Sequence, residues 1–222
     1  MINRVYRAAL VAVLQLAFIA GPAFAEEPPN LFPHKLQLRA YIDSGGYAKD
    51  IADTALKAVK YLQKRVPRGA KGKKMAVVFD IDETTLSNRA QIIANDYGYV
   101  PKTWDDWVSA GRCPAIVPVQ TIYDTAIRLK VDVIFITGRK ESDRTSTERN
   151  LREVGYETWT KIIFKPTTDV TLTMAGFKTD TRRKLTQEGY VIIANVGDQS
   201  SDLVGGYAEK TFKLPNPFYI SK

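Results

Sequence analysis

From Met75 to Phe79 the chain is uninterruptedly apolar, and it then turns abruptly acidic at Asp80, Asp82 and Glu83. Short apolar runs of β-favouring residues mark strands buried on both faces of a parallel sheet. Three further runs have this character: Val131 to Ile136, Lys161 to Phe164, and Tyr190 to Val196. Between them the apolar spacing is helical, with helices expected over Val119–Leu129, Ser142–Val154 closed by Gly155, and Thr179–Glu188 closed by Gly189. Ahead of the first strand, helical spacing begins at Leu36, breaks at Gly45-Gly46 and resumes from Tyr47 to about Lys64. In that second helix Ile51, Ala55, Leu56, Val59 and Leu62 form the apolar stripe. Residues 26–34, rich in proline, read as an extended leader, and Arg68–Lys74 as a basic turn into the first strand. Strands alternating with helices predict an α/β fold, a Rossmann-like parallel sheet flanked by helices.

About 45 residues after the first acidic motif lack a strand pattern and carry Tyr97, Tyr99, Trp104 and Trp107. They read as a largely helical insertion able to roof a site. Together, residues 35–66 and 85–118 are expected to form a small helical lobe.

The first 25 residues stand apart. Arg4 and Arg7 precede an apolar stretch from Ala8 to Ala20, and Ala23-Phe24-Ala25 supplies small residues for cleavage before Glu26. This is the pattern of a secretory signal peptide, too short and too proline-flanked for a membrane span. The expectation is an exported chain, periplasmic or secreted, with no membrane contact after cleavage, folded as a single domain over 26–222. No cysteine follows the apolar stretch, which argues against a lipid anchor.

Composition removes several function classes. The formal charge of +8 is spread along the chain without a dense basic tract, so a nucleic-acid polymer is not the expected partner. The single histidine, His34, lies in the leader, which disfavours a Ser-His-Asp triad, a multi-histidine zinc site or a phosphohistidine. The lone Cys113 excludes an intrachain disulfide and reads as a packed residue. A homo-oligomer is left open, including one bridged through this thiol.

The chemistry gathers at the strand ends, where open α/β sheets bind ligands. Asp80 and Asp82 leave the first strand toward similar space while Ile81 points away. Two carboxylates this close repel unless a cation or proton separates them, and a hard divalent ion suits them. The second strand offers the Thr137 hydroxyl and the amides around Gly138. The fourth offers Asp198 and Asp202, placed on one face of a starting helix, and Lys178 precedes a helix. Carboxylates, a cation, a hydroxyl, free amides and a lysine are the parts of a phosphoryl-transfer site. Each also has a plainer reading, as a turn, a helix cap or a solvated lysine.

The order Asp80-Ile81-Asp82-Glu83-Thr84, Thr137-Gly138-Arg139, Lys178 and Gly197-Asp198-Gln199-Ser200-Ser201-Asp202 resembles the haloacid-dehalogenase superfamily of aspartate-nucleophile phosphatases. Phe79–Asn88, Gly189-Tyr190, Gly197–Leu203 and Leu214-Pro215-Asn216 resemble the branch holding bacterial class C acid phosphatases and plant vegetative storage proteins. The resemblance implies Asp80 as nucleophile and Asp82 as general acid and base, its carbonyl also touching Mg²⁺. Thr137, Gly138 and Lys178 would bind phosphate, Asp198 would join Asp80 as a metal ligand, and Asp202 would orient the metal's waters or Lys178. It further implies an aromatic clamp for the substrate, at Trp104 and Tyr219. The expectation is a Mg²⁺-dependent acid phosphatase acting on small phosphomonoesters, aryl phosphates or 5′-nucleotides. A phosphotransferase using the same intermediate and a non-catalytic storage or binding protein are the alternatives.

Overall fold

The computed structural model describes residues 28–166 and 173–221; residues 1–25, expected from the sequence to be a signal peptide, lie outside them. Five strands form one all-parallel sheet in the order β3-β2-β1-β4-β5: β1 (Lys74–Phe79), β2 (Asp132–Lys140), β3 (Lys161–Lys165), β4 (Tyr190–Gly197) and β5 (Thr211–Lys213). The α/β class read from the sequence is the fold observed. The apolar runs are continuous because both sheet faces are covered. Ala76, Val78, Ile134, Ile136 and Ile192 face one layer with Phe177 and Leu185 of α7 (Met174–Gln187). Val77, Phe79, Val133, Phe135 and Ile193 face the other, built from α2 (Gly46–Arg65), α5 (Val117–Arg128) and α6 (Arg144–Glu153).

Several boundaries differ from the sequence reading. The helix expected from Leu36 is α1 (Leu31–Asp43), so part of the expected leader is helical. The Asn30 side chain accepts from the Phe32 amide at 2.8 Å, and Pro33 falls in the first turn, where a missing amide hydrogen costs nothing. In α2 the buried stripe is Tyr47, Ile51, Ala55, Ala58 and Leu62, while Leu56 is 50% exposed. Successive side chains turn by about 100°, so Leu56 falls off the face that Ala55 and Ala58 share. That stripe packs in the same core as Val77 and Phe79, making α2 a layer on the sheet.

Strand β2 runs through Thr137 to Lys140, with its register against β3 broken between those two residues. Helix α7 begins at Met174, capped by the Thr173 hydroxyl accepting from the Gly176 amide at 3.1 Å. Lys178 is therefore within a helix, not ahead of one. The short β5 was not foreseen, because only Phe212 of its three residues is buried. The insertion is helical as expected, with α3 (Arg89–Ala94) and α4 (Pro101–Ala110).

Candidate active site

Strands β1 and β4 are sheet neighbours, so the residues just past their carboxyl ends meet: the Asp80 amide donates to the Val196 carbonyl at 3.0 Å. Asp198 follows β4, and the chain turns at once into the four-residue α8 (Ser200–Leu203). Asp202 closes that turn, its Oδ2 accepting from the Gln199 amide at 2.8 Å. The turn is tight enough that a Cβ on Gly197 would lie 2.4 Å from the Asp202 Cβ, which explains glycine there. Asp198 itself precedes the helix, contrary to the expectation that both acids share its face.

Asp80, Asp198 and Asp202 are buried, and each offers an oxygen within 4.8 Å of the other two. Three hard, buried oxygen donors at this spacing fit a divalent cation. From α7 the Lys178 ammonium donates to Asp80 Oδ1 and to Asp202 Oδ1, the latter at 2.6 Å. Burial pushes the Asp80 carboxyl well above the usual range, with Asp202, Asp198 and Asp82 adding to the rise and Lys178 opposing it. Asp198 is raised by burial and by Asp202, against hydrogen bonds from Asn216, Gln199 and Thr84. Burial alone would lower the Lys178 ammonium, but Asp80 and Asp202 outweigh it and hold it protonated. With all three carboxylates ionised the cluster would hold more negative charge than one lysine balances, a repulsion that a bound cation offsets.

Asp82 lies in the same pocket as Asp80 but has different partners. The Arg139 guanidinium donates to Asp82 Oδ1 from Nη2 at 2.7 Å and to Oδ2 from Nε at 3.2 Å, and Asn88 Nδ2 donates to Oδ1 at 2.9 Å. The Asp82 carboxylate is thus held by Arg139 and Asn88, while the side chains that meet within 4.8 Å are those of Asp80, Asp198 and Asp202. Arg139 is buried and is held in turn by the Thr147 hydroxyl of α6 at 3.0 Å. Thr137 is fully buried, its hydroxyl oxygen accepting from the Arg139 amide at 3.1 Å, and Gly138 lines the pocket. A Cβ on Gly138 would meet the Met174 methyl at 2.6 Å.

Above this polar floor lies a pocket of about 530 Å³ walled by Tyr97, Tyr99, Trp104, Phe218, Tyr219 and Ile220. Trp104 and Tyr219 both stand on this wall. Trp104 is tilted against Tyr99 at 6.4 Å between ring centroids, and the Tyr219 hydroxyl donates to Glu83 Oε2 at 3.2 Å. Trp107, by contrast, packs against the core and donates to Asn88 Oδ1 at 2.8 Å.

Cys113 is fully buried, its thiol donating to Asn88 Oδ1 at 3.3 Å.

Four contributors escaped the sequence reading as individual side chains. Arg139 and Asn88 grip Asp82. Arg182, fully buried, donates to the carbonyls of Asp202, Val204 and Gly206 and so fixes the turn carrying Asp202. Asn216 donates to Asp198 Oδ2 at 2.7 Å. Asn216 was visible only as part of a motif.

A model for the HAD superfamily, subfamily IIIB (acid phosphatase), matches residues 23–222. Acid phosphatase 1 of Solanum lycopersicum is 33% identical over 207 residues, covering 88% of this chain and 80% of the relative. The stem 28 kDa glycoprotein of Glycine max is 40% identical over 148 residues, 64% of this chain and 58% of the relative. Vegetative storage protein 1 of Arabidopsis thaliana is 33% identical over 146 residues, covering 64% of this chain and 54% of the relative. The chain therefore spans little more than half the length of these last two. The class C acid phosphatase from Bacillus anthracis superimposes with a TM-score of 0.69 at 25% identity, over 84% of this chain and 86% of that one.

Proposed function

The chain belongs to the acid phosphatase family, subfamily IIIB of the HAD superfamily, and we propose that it hydrolyses small phosphomonoesters with Asp80 as nucleophile and Mg²⁺ as cofactor. The observation that carries this reading is the meeting of Asp80 with Lys178, Asp198 and Asp202 beneath an aromatic-walled pocket.

Mg²⁺ held by Asp80, Asp198 and Asp202 would neutralise charge on the phosphoryl oxygens and so ease the approach of one anion to another. An Asp80 carboxylate oxygen attacks phosphorus, and the bond from phosphorus to the ester oxygen breaks with its electron pair on that oxygen. The leaving oxygen takes a proton from Asp82. A water oxygen then attacks the aspartyl-phosphate, its proton passes to Asp82, and the bond to Asp80 breaks, restoring the carboxylate and releasing phosphate. Lys178, kept protonated, offsets charge on Asp80 and the phosphoryl group throughout. The Thr137 hydroxyl and the amides about Gly138 hold phosphoryl oxygens, and the Asp202 link keeps Lys178 in place.

Trp104 and Tyr219 favour flat leaving groups, aryl or nucleoside, at about 1–3 kcal/mol per stacked base. The segment 1–25 directs export to the periplasm or beyond. Among the described residues no helix is long and apolar enough to cross a membrane.

The deciding experiment measures phosphate release from an aryl phosphate and from adenosine 5′-monophosphate at mildly acidic pH, with Mg²⁺ or a chelator, for the wild type and Asp80→Asn. Turnover that needs both Mg²⁺ and Asp80 is expected. Turnover indifferent to Asp80, or none on either ester, would overturn the assignment and favour the non-catalytic reading.

A further inference from the structure

Past β5 the chain does not leave the sheet. The Leu214 amide donates to the Gly197 carbonyl at 2.9 Å, carrying the pairing with β4 up to the residue before Asp198. Pro215 and Pro217 then bracket Asn216. Each proline restricts the residue before it to extended backbone, so the stretch from Leu214 to Pro217 is a stiff arm. The arm ends in a turn built on the Asn216 side chain, whose Oδ1 accepts from the amides of Phe218 at 2.8 Å and Tyr219 at 3.3 Å.

With the oxygen committed to two amide donors, the nitrogen of the carboxamide must point the other way. It meets Asp198, Nδ2 to Oδ2 at 2.7 Å. Gln199 Nε2 donates to the same oxygen at 2.7 Å, while Asp198 Oδ1 accepts only from the Thr84 hydroxyl, at 2.9 Å, among the described residues. A carboxylate oxygen has two lone-pair sites. Oδ2 is therefore filled and Oδ1 keeps one open. The arm is anchored beyond the turn as well: Phe218 packs edge-on against Tyr47 of α2 at 5.4 Å, and Gln199 Oε1 accepts from the Ser221 amide at 3.0 Å.

We propose that Asn216 is a positioning residue for the cation site: by occupying Asp198 Oδ2 from a stiff, doubly anchored arm, it presents Oδ1 to the cation. The proposal rests on the reading of Asp80, Asp198 and Asp202 as cation ligands. It assigns a task to the Leu214-Pro215-Asn216 motif, which the phosphoryl-transfer steps leave without one. The chemistry is that of a ligand held by its hydrogen-bond partners, where loss of a partner typically lowers metal affinity about 10–100-fold.

The test is a calorimetric Mg²⁺ titration of the full chain without substrate. Asn216→Ser keeps a hydroxyl oxygen able to serve the turn but is too short to reach Asp198, and Asn216→Leu keeps the volume while removing the donor. Both are expected to raise the Mg²⁺ dissociation constant about 10–100-fold, with melting in chelator showing that the chain still folds. Wild-type affinity in a variant that melts like the wild type would overturn the proposal. If the wild type itself binds no Mg²⁺, the cation reading falls, and the proposal with it.

A measurement on the wild type guards against variants that do not fold. Coupling between cation and arm is reciprocal, so Mg²⁺ should slow hydrogen exchange at the Phe218 and Tyr219 amides. Unchanged exchange on Mg²⁺ saturation would overturn the coupling.

Discussion

Arg139 meets Asp82 with two guanidinium nitrogens, Nη2 donating to Oδ1 at 2.7 Å and Nε shared between Oδ1 at 3.1 Å and Oδ2 at 3.2 Å. The pair fixes the rotation of the carboxylate as well as its place, because Asn88 takes a further site on Oδ1. A lysine would keep the charge and lose this planar grip. In Arg139→Lys, turnover of an alkyl phosphate, whose leaving oxygen needs a proton, should fall about 10²–10⁴-fold, the usual contribution of general acid catalysis. A nitrophenyl phosphate, with a stable leaving anion, should lose far less. Comparing kcat on the two esters checks this; equal losses would show that Arg139 serves folding alone.

Removing Lys178 should strain the fold as well as the chemistry. Lys178→Met leaves Asp80 and Asp202 buried without their cation, a change that costs about 3–5 kcal/mol when a buried ion pair loses one partner. Urea denaturation in chelator should show that loss, and Mg²⁺ should restore part of it. Adding Asp80→Asn to Lys178→Met should cost less than the two single changes together, since the stranded charge is removed.

Cys113 should be inert while the protein is folded. Burial pushes its thiol up to about 11 from an ordinary 9.0, with Asp82 adding to the rise and Arg139 opposing it. At neutral pH a thiol reagent should modify it only as fast as the fold opens, and at once in denaturant. Because the folded-state value is raised, the associated stability is fully present below about pH 9, the unfolded value, and is lost as pH rises through about 11. Rapid labelling of the native protein at neutral pH would contradict the buried thiol.

The register of α2 can be tested on neighbouring turns. Leu56, half exposed, should tolerate glutamine within about 0.5 kcal/mol. Ala58 is fully buried against the sheet, and leucine there should cost about 1–3 kcal/mol through overpacking. Thermal melts of the two variants would separate this stripe from the one that includes Leu56.

Most of the sheet was legible because β1, β2 and β4 are buried on both faces, and burial on both faces writes itself as an unbroken apolar run. β5 was not, since Thr211 and Lys213 are exposed and a single phenylalanine makes no pattern. The acids Asp80, Asp82, Asp198 and Asp202 stood out by following those runs. Their partners did not, because pairing Arg139 with Asp82 or Asn216 with Asp198 depends on the packing of strands far apart in sequence. Glu83 illustrates the limit: its sequence position suggests a solvated cap, yet it is fully buried, and burial pushes its carboxyl up to about 8 against the Asn88 hydrogen bonds. The turn that brings Asn88 back onto it, at 2.6 Å from backbone nitrogen to Oε1, and the Tyr219 hydroxyl on Oε2 make that tolerable.

The strand order carries a consequence for how the chain acquires its shape. β1 is the first strand made and the middle one in the sheet, and its β4 neighbour is complete only at Gly197. A ribosome-bound chain shorter than that exposes one edge of an Ala-Val-Val-Phe strand, a surface that invites pairing with other chains. Assembly should therefore be late and close to all-or-none, slowed by contacts that span more than a hundred residues.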